Sequence, residues 1–87
     1  MAQAKQFMYR VYVLRSSKTR KRYVGMTSQS LEERLAGHKS GSTAWTRAHK
    51  PFDLVHSEEF KTKALALKRE RFLKSGNGRR VLDNIVK

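Results

Sequence analysis

Apolar and polar positions along this chain follow two periodicities, and the switches between them outline the elements. The run F-M-Y-R-V-Y-V-L from Phe7 to Leu14 is aromatic and β-branched and predicts a strand with both faces largely apolar. Arg15 to Lys21 is polar and basic and should turn the chain. Arg22 to Thr27 predicts a second strand, so the two make an antiparallel hairpin. At Ser30 the period changes. Ser30 with Glu33 fits a capping box, and Glu32 and Glu33 suit the positive end of a helix. The helix should end near Lys39-Ser40-Gly41, with Gly41 as its cap. Leu31, Arg34, Leu35 and His38 share one face of it. An arginine and a histidine therefore lie beside leucines that want the core.

Ser42 to Lys50 reads as a loop carrying Trp45, Arg47 and His49, punctuated by Pro51. Phe52 to Phe60 predicts a third strand. Thr62 can cap a second helix running to about Ser75, with the apolar stripe Leu65, Ala66, Phe72 and Leu73. Glu70 sits at the border of that stripe among Lys68, Arg69, Arg71 and Lys74. Gly76-Asn77-Gly78 breaks the helix, and Val81, Leu82, Ile85 and Val86 make a short amphipathic C-terminal one. The order ββαβαα predicts an α+β fold: a small three-stranded, mainly antiparallel sheet flanked by helices. At 87 residues, one domain over residues 1–87 is expected.

Charge narrows the class. Twenty Lys and Arg stand against seven acids, a formal charge of +13. Such an excess opposes compactness and favours a polyanionic partner. Nucleic acid leads, because each neutralised phosphate releases counterions; an anionic membrane is the rival, but no basic amphipathic helix dominates. The absence of cysteine excludes disulfides and thiolate metal sites. Arg10 interrupts the only apolar run near the N-terminus, so neither a signal peptide nor a membrane span is expected. A cytoplasmic protein without membrane contact is the expectation.

Several chemistries have no residues to carry them. The chain has no nucleophile elbow, no Gly-rich phosphate loop before a helix and no His/Cys metal spacing. Glu32-Glu33 and Glu58-Glu59 are adjacent pairs whose side chains diverge. Only Glu70 is a lone acid at a core border in a basic neighbourhood, which would suit one Mg²⁺ that keeps several waters. Read singly, each candidate has an ordinary explanation. Tyr12 and Tyr23 suit strands with their hydroxyls at the surface. Arg34 can lie along its helix and pair with Glu33, and His38 can be a solvated helix-end residue. Glu70 can pair with Lys74. Gly25 can be a bulge, and Trp45 a packing anchor rather than a stacking platform for bases.

Taken together, Tyr12, Tyr23-Val24-Gly25, Arg34, His38 and Glu70 resemble the signature of the GIY-YIG nuclease domain. The segment A-L-A-L-K-R-E-R-F-L-K-S-G-N-G-R-R is similar to the acidic-helix region of its small stand-alone, URI-type members. The first motif departs from the family pattern: Arg10-Val11-Tyr12 has no glycine where the family name has one. Some members use a late asparagine, for which Asn77 and Asn84 are both candidates.

The resemblance implies a metal-dependent endonuclease hydrolysing DNA phosphodiester bonds. Glu70 would hold Mg²⁺, with Mn²⁺ as a substitute, and Arg34 would bind a phosphate oxygen. A tyrosine, Tyr23 before Tyr12, would act on the attacking water. Tyr12 and His38 would complete the relay, and Gly25 would let the backbone lie close. Lys18, Arg20, Lys21, Arg22 and Arg47 are the expected phosphate contacts. The partner is duplex or branched DNA, with room for a protein partner that supplies specificity. The competing reading is a non-catalytic basic nucleic-acid-binding module; a protein-interaction scaffold is a third.

Overall fold

Tyr9–Ser16 forms β1, the central strand of a three-stranded sheet ordered β2-β1-β3, and its sequence explains the position. Val11, Val13 and Leu14 are fully buried and Tyr12 is nearly so, as a strand apolar on both faces requires. The computed structural model describes residues 8–39 and 43–86. The start of the expected strand at Phe7 lies outside them. At its other end β1 runs past Leu14 to Ser16, whose buried hydroxyl accepts the backbone N–H groups of Lys18 and Thr19. This closes the basic turn tightly. Arg20 takes a left-handed conformation there (φ 63°), and Ser17 N–H donates to the Pro51 carbonyl at 3.0 Å.

β2 spans Arg22–Thr27 and β3 spans Phe52–Phe60, the bounds the sequence predicts. Both pair antiparallel with β1. Because Val13 opposes Val24 and Tyr12 opposes Gly25, the two faces of the hairpin differ. One carries Val11, Val13 and Val24 and meets Ala66, Leu73 and Leu82 in the main core. The other carries Tyr12, Tyr23 and Gly25. Full burial of one such valine or leucine contributes about 1.5–3 kcal/mol.

Among the described residues four helices accompany the sheet. In α1 (Leu31–Lys39), Ser30 Oγ accepts the Glu33 N–H at 3.2 Å and donates to the Glu33 carboxylate at 3.0 Å. The expected cap at Gly41 lies outside the described residues. The loop expected over Ser42–Lys50 is instead largely helical: α2 covers Ala44–His49. Its cause is local. Thr43 and Thr46 form a reciprocal capping box, which satisfies end groups that so short a helix could not otherwise spare.

α3 (Lys63–Lys74) begins after Thr62, whose side chain accepts the Leu65 N–H. Only Ala66 and Leu73 of its predicted stripe are buried; Leu65 and Phe72 are 52% and 36% exposed. The Gly76-Asn77-Gly78 segment does end α3, but it opens α4 (Gly76–Ile85) directly, with Ser75 Oγ accepting the Gly78 N–H at 3.1 Å. A Cβ at Gly78 would strike the Phe72 carbonyl, so the α3–α4 corner can close only on glycine. Leu82 anchors α4, whereas Ile85 is largely exposed. The fold is α+β as expected, with one helix more than the order ββαβαα.

Ion pairs fix α3 and the strands in register. Glu58 on β3 takes Arg69 in a fork, at 2.8 Å from Nε and 3.1 Å from Nη2, and His56 at 2.7 Å. Burial pushes its carboxyl pKa up, but the hydrogen bonds from Arg69 and His56 outweigh this and hold it below the ordinary value. Arg10 pairs with Glu59 at 3.1 Å and donates to the Gln29 carbonyl at 3.3 Å. The arginine at the family's glycine position thus ties β3 to the loop that leads into α1. The two adjacent glutamates do diverge.

Candidate active site

Three side chains from two elements meet at one oxygen. Tyr12, 1% exposed on β1, places its hydroxyl 2.6 Å from His38 Nε2, and Arg34 Nε donates to the same oxygen at 3.1 Å. Arg34 and His38 lie one turn apart on α1, so a single helix presents both to the same hydroxyl. Gly25, opposite Tyr12 in the register, makes the approach possible. A Cβ there would stand 2.5 Å from Tyr12 Cζ and Oη and 2.9 Å from Tyr23 Cε2. Gly25 is therefore a seat for the Tyr12 ring rather than a bulge.

His38 is fully buried, not a solvated helix end. Neither leucine of α1 is buried as deeply: Leu31 and Leu35 are only half-buried. The His38 Nδ1 has no hydrogen-bond partner among the described residues. A buried, unmet ring nitrogen costs about 1–3 kcal/mol if it carries the proton. The geometry allows two neutral arrangements. In one, Tyr12 donates to Nε2 and the N–H is at Nδ1; in the other, Nε2–H donates to Tyr12 and the phenol proton is free for a third group.

Burial sets the protonation of this cluster. It raises the Tyr12 pKa; the hydrogen bond and charge of Arg34 oppose this, while Tyr23 and Glu70 add to it. Burial, and then the Arg34 charge, lower the pKa of His38. The Arg34 pKa is raised, chiefly by its hydrogen bond to Tyr12, with burial opposing and Tyr23 contributing. Near neutral pH the cluster is a phenol and a neutral imidazole beside a guanidinium.

Tyr23 packs in the same group, with ring centroids 6.3 Å from Tyr12, 5.5 Å from His38 and 5.3 Å from Trp45. Trp45 also meets His49 at 4.6 Å and Phe52 at 6.2 Å. It is thus a packing anchor, though on a helix, and part of it faces a groove. Glu70 on α3 is close enough for its charge to act on Tyr12, and Lys74 sits at 3.4 Å from its carboxylate. The five candidates and Gly25 therefore gather around Tyr12, Glu70 by electrostatic reach rather than by a hydrogen bond.

The basic residues divide. Arg20, Lys21 and Arg22 line a groove of about 710 Å³ beside Tyr23, which Lys74 and Arg79 join from α3 and α4. Arg22 is held by Asp83 at 2.7 Å. Lys18 and Arg47 are exposed and do not line this groove. Lys74 and Arg79 are not among the phosphate contacts the sequence suggests; the signal available was the pairing of basic residues on both sides of the Gly76–Gly78 corner. Arg34 opens on a second cleft of about 520 Å³ with Lys63. Asn77 and Asn84 are both exposed on α4.

Among the described residues no group of three or more His, Cys, Asp or Glu could hold a metal ion, and no helix is long and apolar enough to cross a membrane. Glu70 belongs to no such group, and a site with few protein ligands fits a Mg²⁺ that keeps most of its waters.

Residues 8–82 match the GIY-YIG catalytic domain, and the chain belongs to that family. Membership implies a nuclease-like function, since GIY-YIG nucleases act on DNA. The chain is similar to a UPF0213 protein of Natronomonas pharaonis, 42% identical over 66 residues that cover 75% of each chain. It is also similar to the solution NMR structure of a UPF0213 protein from Bacillus halodurans, with a TM-score of 0.54 and 29% identity over 88% of this chain and 83% of that one.

Proposed function

We propose that this protein is a metal-dependent endonuclease that hydrolyses DNA phosphodiester bonds at the cluster around Tyr12. The observation that carries the reading is the convergence of Arg34 and His38 on the buried Tyr12 hydroxyl, over a glycine whose place no larger residue could take without striking the ring. A non-catalytic module would need no arginine oriented by a buried phenol.

Arg34 donates its Nε to Tyr12, reaches Tyr23 as well, and lines the smaller cleft. A planar fork held in that way suits a non-bridging phosphate oxygen. Tyr12, with its oxygen engaged twice and 1% exposed, positions Arg34. Tyr23 is half-buried and lines the groove, which supports it over Tyr12 as the residue that orients the attacking water and takes its proton. As the water oxygen bonds to phosphorus, the P–O3′ bond breaks and the 3′ oxygen leaves with a proton from solvent. A phenol takes such a proton only as phenolate, a form that nearby cations favour. Glu70 would hold Mg²⁺, or Mn²⁺ in its place, which supplies Lewis-acid stabilisation of charge on the phosphate and the leaving oxygen. Lys74 does not block that role, because an exposed i,i+4 pair contributes only ~0.3–0.5 kcal/mol and yields readily.

The test is nicking of supercoiled plasmid with Mg²⁺, Mn²⁺ or EDTA, by wild type and Glu70→Ala, with DNA affinity measured alongside. Metal-dependent nicking that falls to background in the variant, at unchanged or tighter affinity, is the expected result. Absence of nicking by wild type on plasmid, flap, junction and single-stranded DNA, with DNA binding retained, would make the protein a binding module instead.

A further inference from the structure

Two clefts meet the Tyr12 cluster, and they are unequal. Tyr23, near the start of β2, belongs to the larger groove; Thr27, at its end, and Arg34 belong to the smaller. The larger draws Arg20, Lys21 and Arg22 from the hairpin, Lys74 from α3 and Arg79 from α4. Two acids stand beside it, Asp83 paired with Arg22 and Glu70 with Lys74, and its five cations outnumber them. In the smaller cleft Lys63 is the one cation besides Arg34 among the described residues, beside polar residues of the β2–α1 loop. The larger groove also has an apolar floor of Val24, Leu73 and Leu82, with the rings of Tyr23 and Trp45 at its side.

We infer that the larger groove is the grip for one flank of the cut DNA strand, and that the smaller cleft holds the other flank only weakly. The inference rests on the endonuclease reading and adds to it a direction along the strand. Cations drawn from three elements around an apolar floor suit a chain of phosphates with sugars and bases between them; ring faces beside such a groove accept a base or sugar without reading sequence. An isolated anion would need no groove of about 710 Å³, and a neutral ligand no such charge. Lys74 and Arg79 thereby become DNA contacts, and Trp45 a surface for the strand. Affinity should depend on salt mainly through this groove, each phosphate contact adding about 0.7–0.9 to the slope of log K against log salt.

The experiment compares charge reversals of equal size on the full chain: Arg79→Glu in the larger groove and Lys63→Glu in the smaller cleft. Both residues are exposed, so both variants should fold, which circular dichroism checks. Binding of a fluorescein-labelled DNA duplex and a DNA single strand is followed by anisotropy in EDTA across a salt series. The expected result is a loss of about tenfold or more for Arg79→Glu at low salt, a salt slope lower by about 1, and a much smaller loss for Lys63→Glu. Trp45→Phe should retain most of the affinity and Trp45→Leu should lose more. Equal losses for Arg79→Glu and Lys63→Glu, or no loss for Arg79→Glu, overturn the inference. Wild-type nicking is scored separately. Nicking with equal losses leaves the nuclease and removes the groove assignment; unequal losses without nicking keep the groove as a DNA grip and remove the nuclease.

Discussion

Adding one methyl group at Gly25 should dismantle the cluster. In Gly25→Ala the new Cβ would start 2.5 Å from two atoms of the Tyr12 side chain and 2.9 Å from Tyr23. Ordinary carbon contact lies near ~3.5 Å, so the Tyr12 ring must retreat by about 1 Å. It cannot swing aside, because it is 1% exposed and its oxygen is tied to His38 at 2.6 Å and to Arg34 at 3.1 Å. A shift of that size takes the Arg34 bond beyond hydrogen-bonding range and misaligns the other. Overpacking of this kind costs about 1–3 kcal/mol, and two lost hydrogen bonds about 0.5–1.5 kcal/mol each. The better strand conformation of alanine returns about 0.5–1 kcal/mol. The net loss should be about 1–5 kcal/mol, read as a lower urea midpoint at unchanged m-value. Gly76→Ala is the control: nothing lies within 4 Å of its Cβ, and alanine at a helix start should be neutral or stabilising by up to about 1 kcal/mol. Gly25→Ala within about 0.5 kcal/mol of wild type, with nicking activity intact, would refute the reasoning.

The clamp on β3 and the buried histidine give two further tests. Glu58→Gln should cost about 1–2 kcal/mol at pH 7 by urea unfolding, since the fork to Arg69 and the bond to His56 weaken together. The Glu58 pKa is depressed in the folded state, so this stability is present above the ordinary carboxyl pKa of ~4.3 and lost as pH falls through the folded value. The variant and wild type should converge there, and a gap that persists would count against the clamp. For His38, burial and then Arg34 depress the folded pKa, so acidification from about pH 6.5 toward that value favours the unfolded chain and lowers stability. By NMR the His38 ring should remain mainly neutral at pH 6.5; a midpoint at or above that pH contradicts its placement beside Arg34.

Much of the fold was legible in the order of residues. The patterns of Arg22–Thr27 and Phe52–Phe60 mark strands whose bounds the structure reproduces, and Thr62 caps α3 as its spacing suggests. α2 was hidden because six residues carry no helical period; its signal is the Thr43–Thr46 pair, a capping box built from two threonines rather than the usual Ser or Thr with Glu. Leu65 and Phe72 looked like core because their type and spacing fit, yet α3 buries only Ala66 and Leu73. The site was legible as a set of residue types, not as a geometry. Nothing in the chain's local pattern says that the Tyr12 hydroxyl is buried, that His38 lies deeper than Leu31 or Leu35, or that Gly25 makes room for a ring. Those depend on strand register and on how α1 docks, which are long-range properties. The same holds for Lys74 and Arg79, which join Arg20 and Lys21 only through the α3–α4 corner.

The most direct test of the central claim is single-turnover cleavage by Arg34→Lys at saturating protein. Lysine keeps the charge but has one nitrogen, which cannot hold Tyr12 and a phosphate oxygen together. Cleavage should slow by about 10²–10³-fold while DNA affinity stays within a few-fold of wild type. A wild-type cleavage rate from Arg34→Lys would contradict the account.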